Sequence, residues 1–304
     1  MSAHLTILGF NSAIPTVNSS PTAQLLEMQE RHFLIDCGEG TQVQLRKAKA
    51  KFSKINHIFV SHLHGDHCFG LPGLVASFRL LGRETPLYIY GPKGIKEMLE
   101  TIFRITETQR GFEVVYREIE GNASEKIFED DKVEVYTIPL DHRIYCNGYL
   151  FREKPKERHL NMEEIAKYPE IEICDYHLLK KGKDFTLSDG YVLKNEILTK
   201  PAESPVSYAF CSDTRFLESV VPIVKGVDLL YHESTFLHEL KEMADYTGHS
   251  TALEAALVAK KAEVKKLILG HFSNRYQDLS VFTDEARTVF PNTFLPKTLE
   301  VIEI

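Results

Sequence analysis

The chain has 304 residues, a formal net charge of −7, and 43% hydrophobic and 26% charged residues. Those are globular proportions that support a sizeable core, in one large domain or two ordinary ones, and no apolar run approaches the roughly 18 residues needed to cross a bilayer. The acidic balance excludes an overall basic footprint of the nucleic-acid-binding kind, so any such interaction has to rest on local patches.

Met1 to Phe10 lacks a basic n-region and a cleavage site, and is expected to be a first strand rather than a signal peptide, which places the protein in the cytoplasm. The apolar patterns at 4–9, 23–28 and 31–35 predict three strands, the last ending at Asp36-Cys37-Gly38. Thr41 to Ala50 is expected to be a helix with Arg46, Lys47 and Lys49 on a basic face that continues to Lys51. Such a face is either a set of phosphate contacts or an ordinary solvated surface. Ile55 to Val60 is a short β-branched run, Leu74 to Leu81 a buried helix, Leu87 to Tyr90 a strand stopped by Gly91-Pro92, and Ile95 to Arg104 a helix. Strands then dominate to about Phe151.

Residues 152–200 change texture, with charges of both signs and few apolar runs, and are expected to form an inserted arm on a single domain spanning 1–304. Lysines and arginine gather at Lys154, Lys156 and Arg158, and at Lys180, Lys181 and Lys183, with acidic residues nearly balancing them. From Tyr208 the alternation returns: strands at Tyr208–Cys211, Val227–Tyr231 and Lys266–Leu269, an amphipathic helix at Thr251–Ala262, and a helix carrying Asp284 to Phe290. Strands with helices on their outer sides predict a layered α/β architecture. The five cysteines are odd in number and none forms a C-x-x-C pair, which argues against a disulfide framework.

The chemistry is concentrated in His62-Leu63-His64-Gly65-Asp66-His67, just past an apolar strand. His62 and His64 alternate on an extended segment and emerge on one side, Gly65 permits a tight turn, and Asp66 and His67 follow it. Three histidines and an aspartate at this spacing make a metal site. His142, Asp213 and His271 each follow a later apolar run, where loops at one sheet edge converge. Each alone reads equally well as a loop or capping residue; in this order together they read as the missing ligands.

This motif matches the H-x-H-x-D-H signature of the metallo-β-lactamase superfamily, and its surroundings resemble the ribonuclease Z family. The stretches Asp36-Cys37-Gly38-Glu39-Gly40-Thr41-Gln42, Gly70-Leu71-Pro72-Gly73-Leu74, Ser212-Asp213-Thr214, His232-Glu233-Ser234-Thr235, Gly248-His249-Ser250-Thr251 and His271-Phe272-Ser273-Asn274-Arg275-Tyr276 carry the likeness along nearly the whole chain. The resemblance implies an α/β fold, a four-layer αββα sandwich with an inserted arm, and two zinc ions per subunit. One would be held by His62, His64 and His142, the other by Asp66, His67 and His271, with Asp213 between them and Asp36 behind a ligand. It implies an endoribonuclease that removes the 3′ trailer of precursor tRNA by attack of a zinc-activated water, in a homodimer. Asp66 would orient or deprotonate the water, His249 would protonate the leaving oxygen, and Glu233 would pair with His249. Arg275, Ser12 and Thr16, with Pro15 beside them, would lie near substrate. The stretch 169–176 lacks the glycine- and proline-rich arm tip of many members. Two rivals remain: a two-metal hydrolase of a small substrate, and a non-catalytic RNA-binding relative. His249 as a bystander to a cap at Ser250 or Thr251 is the structural alternative to its catalytic role.

Overall fold

The architecture, seen in a computed structural model, follows from strands that send alternate side chains to opposite faces; residues 3–17, 19–109 and 111–304 are described. Met1 and Ser2, the head of the stretch expected as a first strand, lie outside them. The described residues form two compact units, one within 3–152 and 206–304 and one of residues 153–205.

The larger unit contains two seven-stranded sheets. The first joins β1 (His4–Gly9), β2 (Ala23–Met28), β3 (Arg31–Ile35), β4 (Ile55–Phe59), β5 (Leu87–Pro92) and β6 (Val114–Ile119) in sequence order, with β18 (Val301–Glu303) outside β1. Pairing from β3 to β6 is parallel. The second sheet has the order β17-β16-β15-β14-β9-β8-β7, from β7 (Lys126–Glu129), β8 (Val133–Leu140), β9 (Cys146–Glu153), β14 (Ser207–Cys211), β15 (Leu229–Glu233), β16 (Lys266–Gly270) and β17 (Thr293–Phe294). Here β14 to β17 are parallel and β14 meets β9 antiparallel.

The alternation of buried side chains explains why the sheets stack. Leu5, Ile7, Leu26, Phe33, Ile35 and Phe59 join a core with Tyr149, Phe151, Tyr208 and Phe210 of the second sheet. Leu8, Leu25, Leu34 and Ile58 point the other way, into a second core with Leu45 of α1 (Thr41–Lys47), Leu74 and Phe78 of α3 (Leu71–Leu80) and Leu99 of α4 (Ile95–Ile105). Beyond the second sheet pack α8 (Val220–Ile223), α10 (Ala252–Lys261) and α11 (Ser280–Arg287), with Ala255, Ala259 and Phe282 buried. The layers are helix, sheet, sheet, helix, as the αββα expectation required.

Several boundaries depart from expectation, four of them informatively. The first helix ends at Lys47 rather than Ala50, because Lys49 adopts a left-handed φ of 55° that a helix cannot continue. Lys49 and Lys51 therefore leave the helix, and Arg46 lies over the ring of Phe52. The strand expected to stop before Gly91-Pro92 runs through both, Pro92 being its last residue, past Tyr90 where pairing with β4 ends. The buried helix starts at Leu71 rather than Leu74, with Pro72 in its first turn. The helix expected around Asp284 to Phe290 spans Ser280–Arg287, since Asp278 accepts the Ser280 N–H at 2.9 Å and holds the helix start.

The smaller unit has its own core of Ile165, Ile171, Leu179, Leu193 and Leu198. Around it are α5 (Met162–Ile165), α6 (Tyr176–Lys180), α7 (Asn195–Leu198) and two short strand pairs, β10 (His159–Leu160) with β13 (Thr199–Lys200) and β11 (Phe185–Thr186) with β12 (Val192–Leu193). Buried Asn195 donates to the carbonyls of Leu179 and Lys183 and accepts from the Thr199 hydroxyl. This is more organised than a solvated hairpin or helix pair; single apolar residues separated by charges converge only once the short elements fold. No helix among the described residues is long and apolar enough to cross a membrane.

Candidate active site

Strand ends set the site. Asp36 follows β3, His62 and His64 follow β4, His142 follows β8, Asp213 follows β14, Glu233 ends β15 and His271 follows β16. Loops beyond one edge of both sheets thus bring together residues more than 200 positions apart.

Three groups of nitrogen and oxygen atoms result, each gathered within 4.8 Å: His62, His64, His142 and Asp213; Asp66, His67 and His271; and Asp213, His249 and His271. In the first, Nδ1 of His64 lies 3.0 Å from Nε2 of His62 and 3.2 Å from Nε2 of His142. In the second, Nε2 of His271 lies 3.4 Å from Nε2 of His67 and 3.3 Å from Oδ2 of Asp66. Asp213 faces both: its Oδ2 is 3.6 Å from His62 and 3.8 Å from His142, its Oδ1 3.5 Å from His67 and 3.4 Å from His271. That Oδ1 is buried without a hydrogen-bond partner. An orphaned, buried carboxylate oxygen facing two imidazole nitrogens is costly unless a cation completes it. The mixed imidazole and carboxylate donors suit zinc or a similar divalent ion.

The far side of four of the rings is held. Nδ1 of His67 donates to Oδ2 of Asp36 at 2.7 Å, and Asp36 also accepts from the N–H and the hydroxyl of Ser61. Nδ1 of His142 donates to the Gly248 carbonyl at 2.7 Å. Nδ1 of His271 lies 3.0 Å from the Thr235 hydroxyl, and Nδ1 of His62 lies 3.0 Å from that of Ser61. Ring orientation and tautomer are therefore set before any ion arrives, with Nε2 turned inward in all four. Gly248 has no substitute: its φ is 83° and a Cβ would sit 2.8 Å from His142 Nδ1. Gly65 differs from expectation. It opens the short helix α2 (Gly65–Cys68) at ordinary φ, and a Cβ there would meet the ring of Phe69, an exposed side chain.

Electrostatics follow burial and neighbours. Burial lowers the pKa of His62, His64 and His142, favouring the neutral form that ligates. Asp213 is opposed by burial but held well below the usual carboxylate range by His271, His67 and His62. His249 also lies with Asp213 and His271, but it has a glutamate partner of its own: its Nδ1 is 2.9 Å from Oε1 of Glu233 and 3.9 Å from Oδ2 of Asp213. Burial works against its charge, but Glu233 and then Asp213 outweigh that and push the pKa up to about 9. Glu233, fully buried, is held low by the same contact and also accepts from the N–H groups of Thr214 and Thr235 and the Thr235 hydroxyl. The helix cap belongs to Thr251, in a reciprocal capping box with Glu254, so His249 is not the cap.

The substrate-side residues vary. The Ser12 N–H donates to the Phe272 carbonyl, which draws the 11–14 loop to the His271 segment. The Thr16 hydroxyl is spent in its own turn, against the N–H and carbonyl of Ser19. Arg275 is exposed, its guanidinium 4.9 Å from the centre of the Phe236 ring and its Nε donating to Ser273. Cys68 and Cys211 are free and buried, as small apolar residues would be, and neither belongs to the metal groups.

Sequence reasoning missed Ala13, Ser61 and Thr235 as supports. The Ala13 N–H donates to Oδ2 of Asp66 at 2.8 Å, a backbone contact that leaves no mark on residue type. Ser61 precedes the histidine motif and Thr235 closes the quoted stretch from His232, and that placement was the available signal. Ala13, Asp36 and His271 all hold left-handed φ values, 57°, 56° and 60°, so backbone strain gathers at this edge.

The chain is similar to known proteins along nearly its whole length. The chain is 45% identical over 291 residues to "Ribonuclease Z" of Parabacteroides distasonis, covering 96% of this chain and 95% of that one. It is 47% identical over 297 residues to that of Cytophaga hutchinsonii, covering 97% and 94%. Among solved structures, the short form of human tRNase Z superposes with a TM-score of 0.70 at 26% identity, over 98% of each chain. The metallo-β-lactamase fold protein YhfI of Bacillus subtilis gives 0.71 at 19% over all of both chains, which speaks to the fold alone. A family model described as Anti-Pycsar protein Apyc1 matches residues 3–147.

Proposed function

The chain belongs to the ribonuclease Z family, and we propose that it is a metal-dependent endoribonuclease that removes the 3′ trailer from precursor tRNA and leaves a 3′-hydroxyl on the tRNA. His62, His64 and His142 would hold one zinc ion and Asp66, His67 and His271 a second, with Asp213 between them. When bound, such a pair neutralises phosphoryl charge and lowers the pKa of water to about 7. Asp66, fixed by the Ala13 N–H, orients the attacking water and is placed to take its proton. Asp36 holds His67 in register. His249, kept protonated by Glu233, gives its proton to the departing ribose 3′ oxygen, and Glu233 fixes which ring nitrogen faces the substrate. Arg275 and the Ser12–Thr16 loop form the substrate side.

The observation that carries the chemistry is the Asp213 carboxylate with one oxygen toward each donor group, the arrangement a two-ion phosphodiesterase needs. The substrate is carried by the identity with curated ribonucleases Z across nearly the full length. Residues 153–205 would be the tRNA-gripping arm. Lys180, Lys181 and Lys183 have no ion-pair partner among the described residues and are available for phosphates, whereas Lys156 is paired with Glu153 and Glu203. Action as a homodimer in the cytoplasm completes the reading.

The test is cleavage of a 3′-extended precursor tRNA beside bis(p-nitrophenyl) phosphate, with and without chelator. Chelator-sensitive cutting after the discriminator nucleotide is expected. The net charge of −7 favours one second reading, a hydrolase of small substrates, which predicts diester hydrolysis without tRNA cleavage.

A further inference from the structure

We propose that the cavity beside His142, walled by residues 121–122 and 139–147, seats the nucleotide next to the bond that is cut, and that Arg143 holds the phosphate of that neighbouring nucleotide. This rests on the phosphodiesterase reading above.

The cavity measures about 330 Å³ and includes His142 in its wall, so it opens directly off the first metal group. Its size is at the lower end of the range for small-ligand pockets. The wall is built and braced: the Tyr145 hydroxyl donates to the Gly121 carbonyl at 2.7 Å, and Nδ2 of Asn147 donates to the Tyr145 oxygen at 2.9 Å. The Asn147 N–H donates to the Ser61 carbonyl, which ties this wall to the head of the histidine motif. Asn147 is only 1% exposed, yet its Oδ1 has no hydrogen-bond partner. It is a buried acceptor on a residue that lines the cavity, and nucleobase amines and ribose hydroxyls are donors of the matching kind.

Arg143 supplies the charge. It is exposed, lines the cavity, and forms no ion pair or hydrogen bond among the described residues. The arginine beside it is committed: Arg215 pairs with Asp141 and donates to the Asp245 carbonyl. A free guanidinium beside a metal centre in a chain of net charge −7 is a local attraction for an anion, and its planar fork matches a phosphate. The scissile phosphate belongs to the metal groups; a strand in the cavity brings the next phosphate to Arg143, fixing register without reading sequence.

Arg143→Ala and Asn122→Trp, the latter an exposed position that would narrow the cavity, are compared with wild type on three substrates: 3′-extended precursor tRNA, a short single-stranded oligoribonucleotide, and bis(p-nitrophenyl) phosphate. The expected result is a kcat/KM that falls at least about tenfold further on RNA than on the diester for both variants, mostly through KM, and for Arg143→Ala a salt dependence of RNA binding weaker by about one counterion. An equal fall on all substrates, or no fall on RNA, overturns the proposal. Wild-type protein that cuts the oligoribonucleotide but not the precursor overturns the tRNA reading while the cavity is still judged on the oligoribonucleotide. Wild-type protein that cuts neither RNA overturns both.

Discussion

Nδ1 of His249 lies 2.9 Å from Oε1 of Glu233, an oxygen it shares with the Thr214 N–H, while Thr235 occupies the other oxygen, so the histidine completes the partners of a buried carboxylate. The pair is buried at the mouth of the metal groups, with Asp213 3.9 Å from the same nitrogen.

If His249 is the acid, His249→Ala lowers kcat by roughly 10²–10⁴-fold. The acid works only while protonated. Its contribution is complete well below its pKa of about 9 and is lost as the pH rises through that value. Glu233→Gln removes the larger of the two charges that raise the pKa, so the alkaline limb of the kcat profile moves to lower pH. An alkaline limb that stays in place in Glu233→Gln refutes the pairing.

Asp213→Ala and His64→Ala are expected to abolish hydrolysis with the fold largely kept, since neither side chain packs in an apolar core. Asp213→Ala loses contact with both donor groups and so costs both ions, while His64→Ala affects the first. Metal content per chain, alongside circular dichroism, distinguishes the two. Wild-type-like turnover by either variant, purified free of host enzyme, removes the assignment.

Ala13 combines a left-handed φ of 57° with the N–H that holds Asp66. Ala13→Gly keeps the N–H and relieves a conformational cost of roughly 1 kcal/mol, so melting temperature is expected to rise slightly with activity retained. Ala13→Pro abolishes the N–H and cannot adopt the φ, and kcat is expected to fall. Equal activity in both variants means that the backbone contact does not position Asp66.

His57 lies outside the site, stacked on Tyr88 at 5.1 Å and against Phe128 at 4.7 Å. Burial, only partly offset by Asp130, lowers its pKa to about 4. The unfolded chain binds this proton from about pH 6.5 downward and the folded chain does not, so stability declines as the pH falls from about 6.5 towards 4. After allowance for the partly exposed ring, the loss is on the order of 1 kcal/mol between pH 7 and pH 5. His57→Phe should remove that portion of the loss, measured by urea unfolding at the two pH values.

The metal motif was legible because its donors crowd into six residues, and no purely structural role calls for that composition. The strands were legible because alternation at β1 to β4 sorts side chains between two cores, a period of two that is written directly into residue order. Helix ends were less so: Lys49 at a left-handed φ and Pro92 inside a strand reflect what packs beside them, which local propensity does not encode. The small core of residues 153–205 was hidden for the same reason, its apolar residues being scattered singly among charges. Tertiary structure alone decided what supports the site. The Ala13 N–H on Asp66 and the Gly248 carbonyl on His142 are backbone groups, present at almost every residue, and only the folded chain selects which of them faces a ligand. The sequence by itself determined the donors and their order; their convergence on Asp213 is decided by strand ends from two sheets meeting at one edge, over separations that no local pattern records.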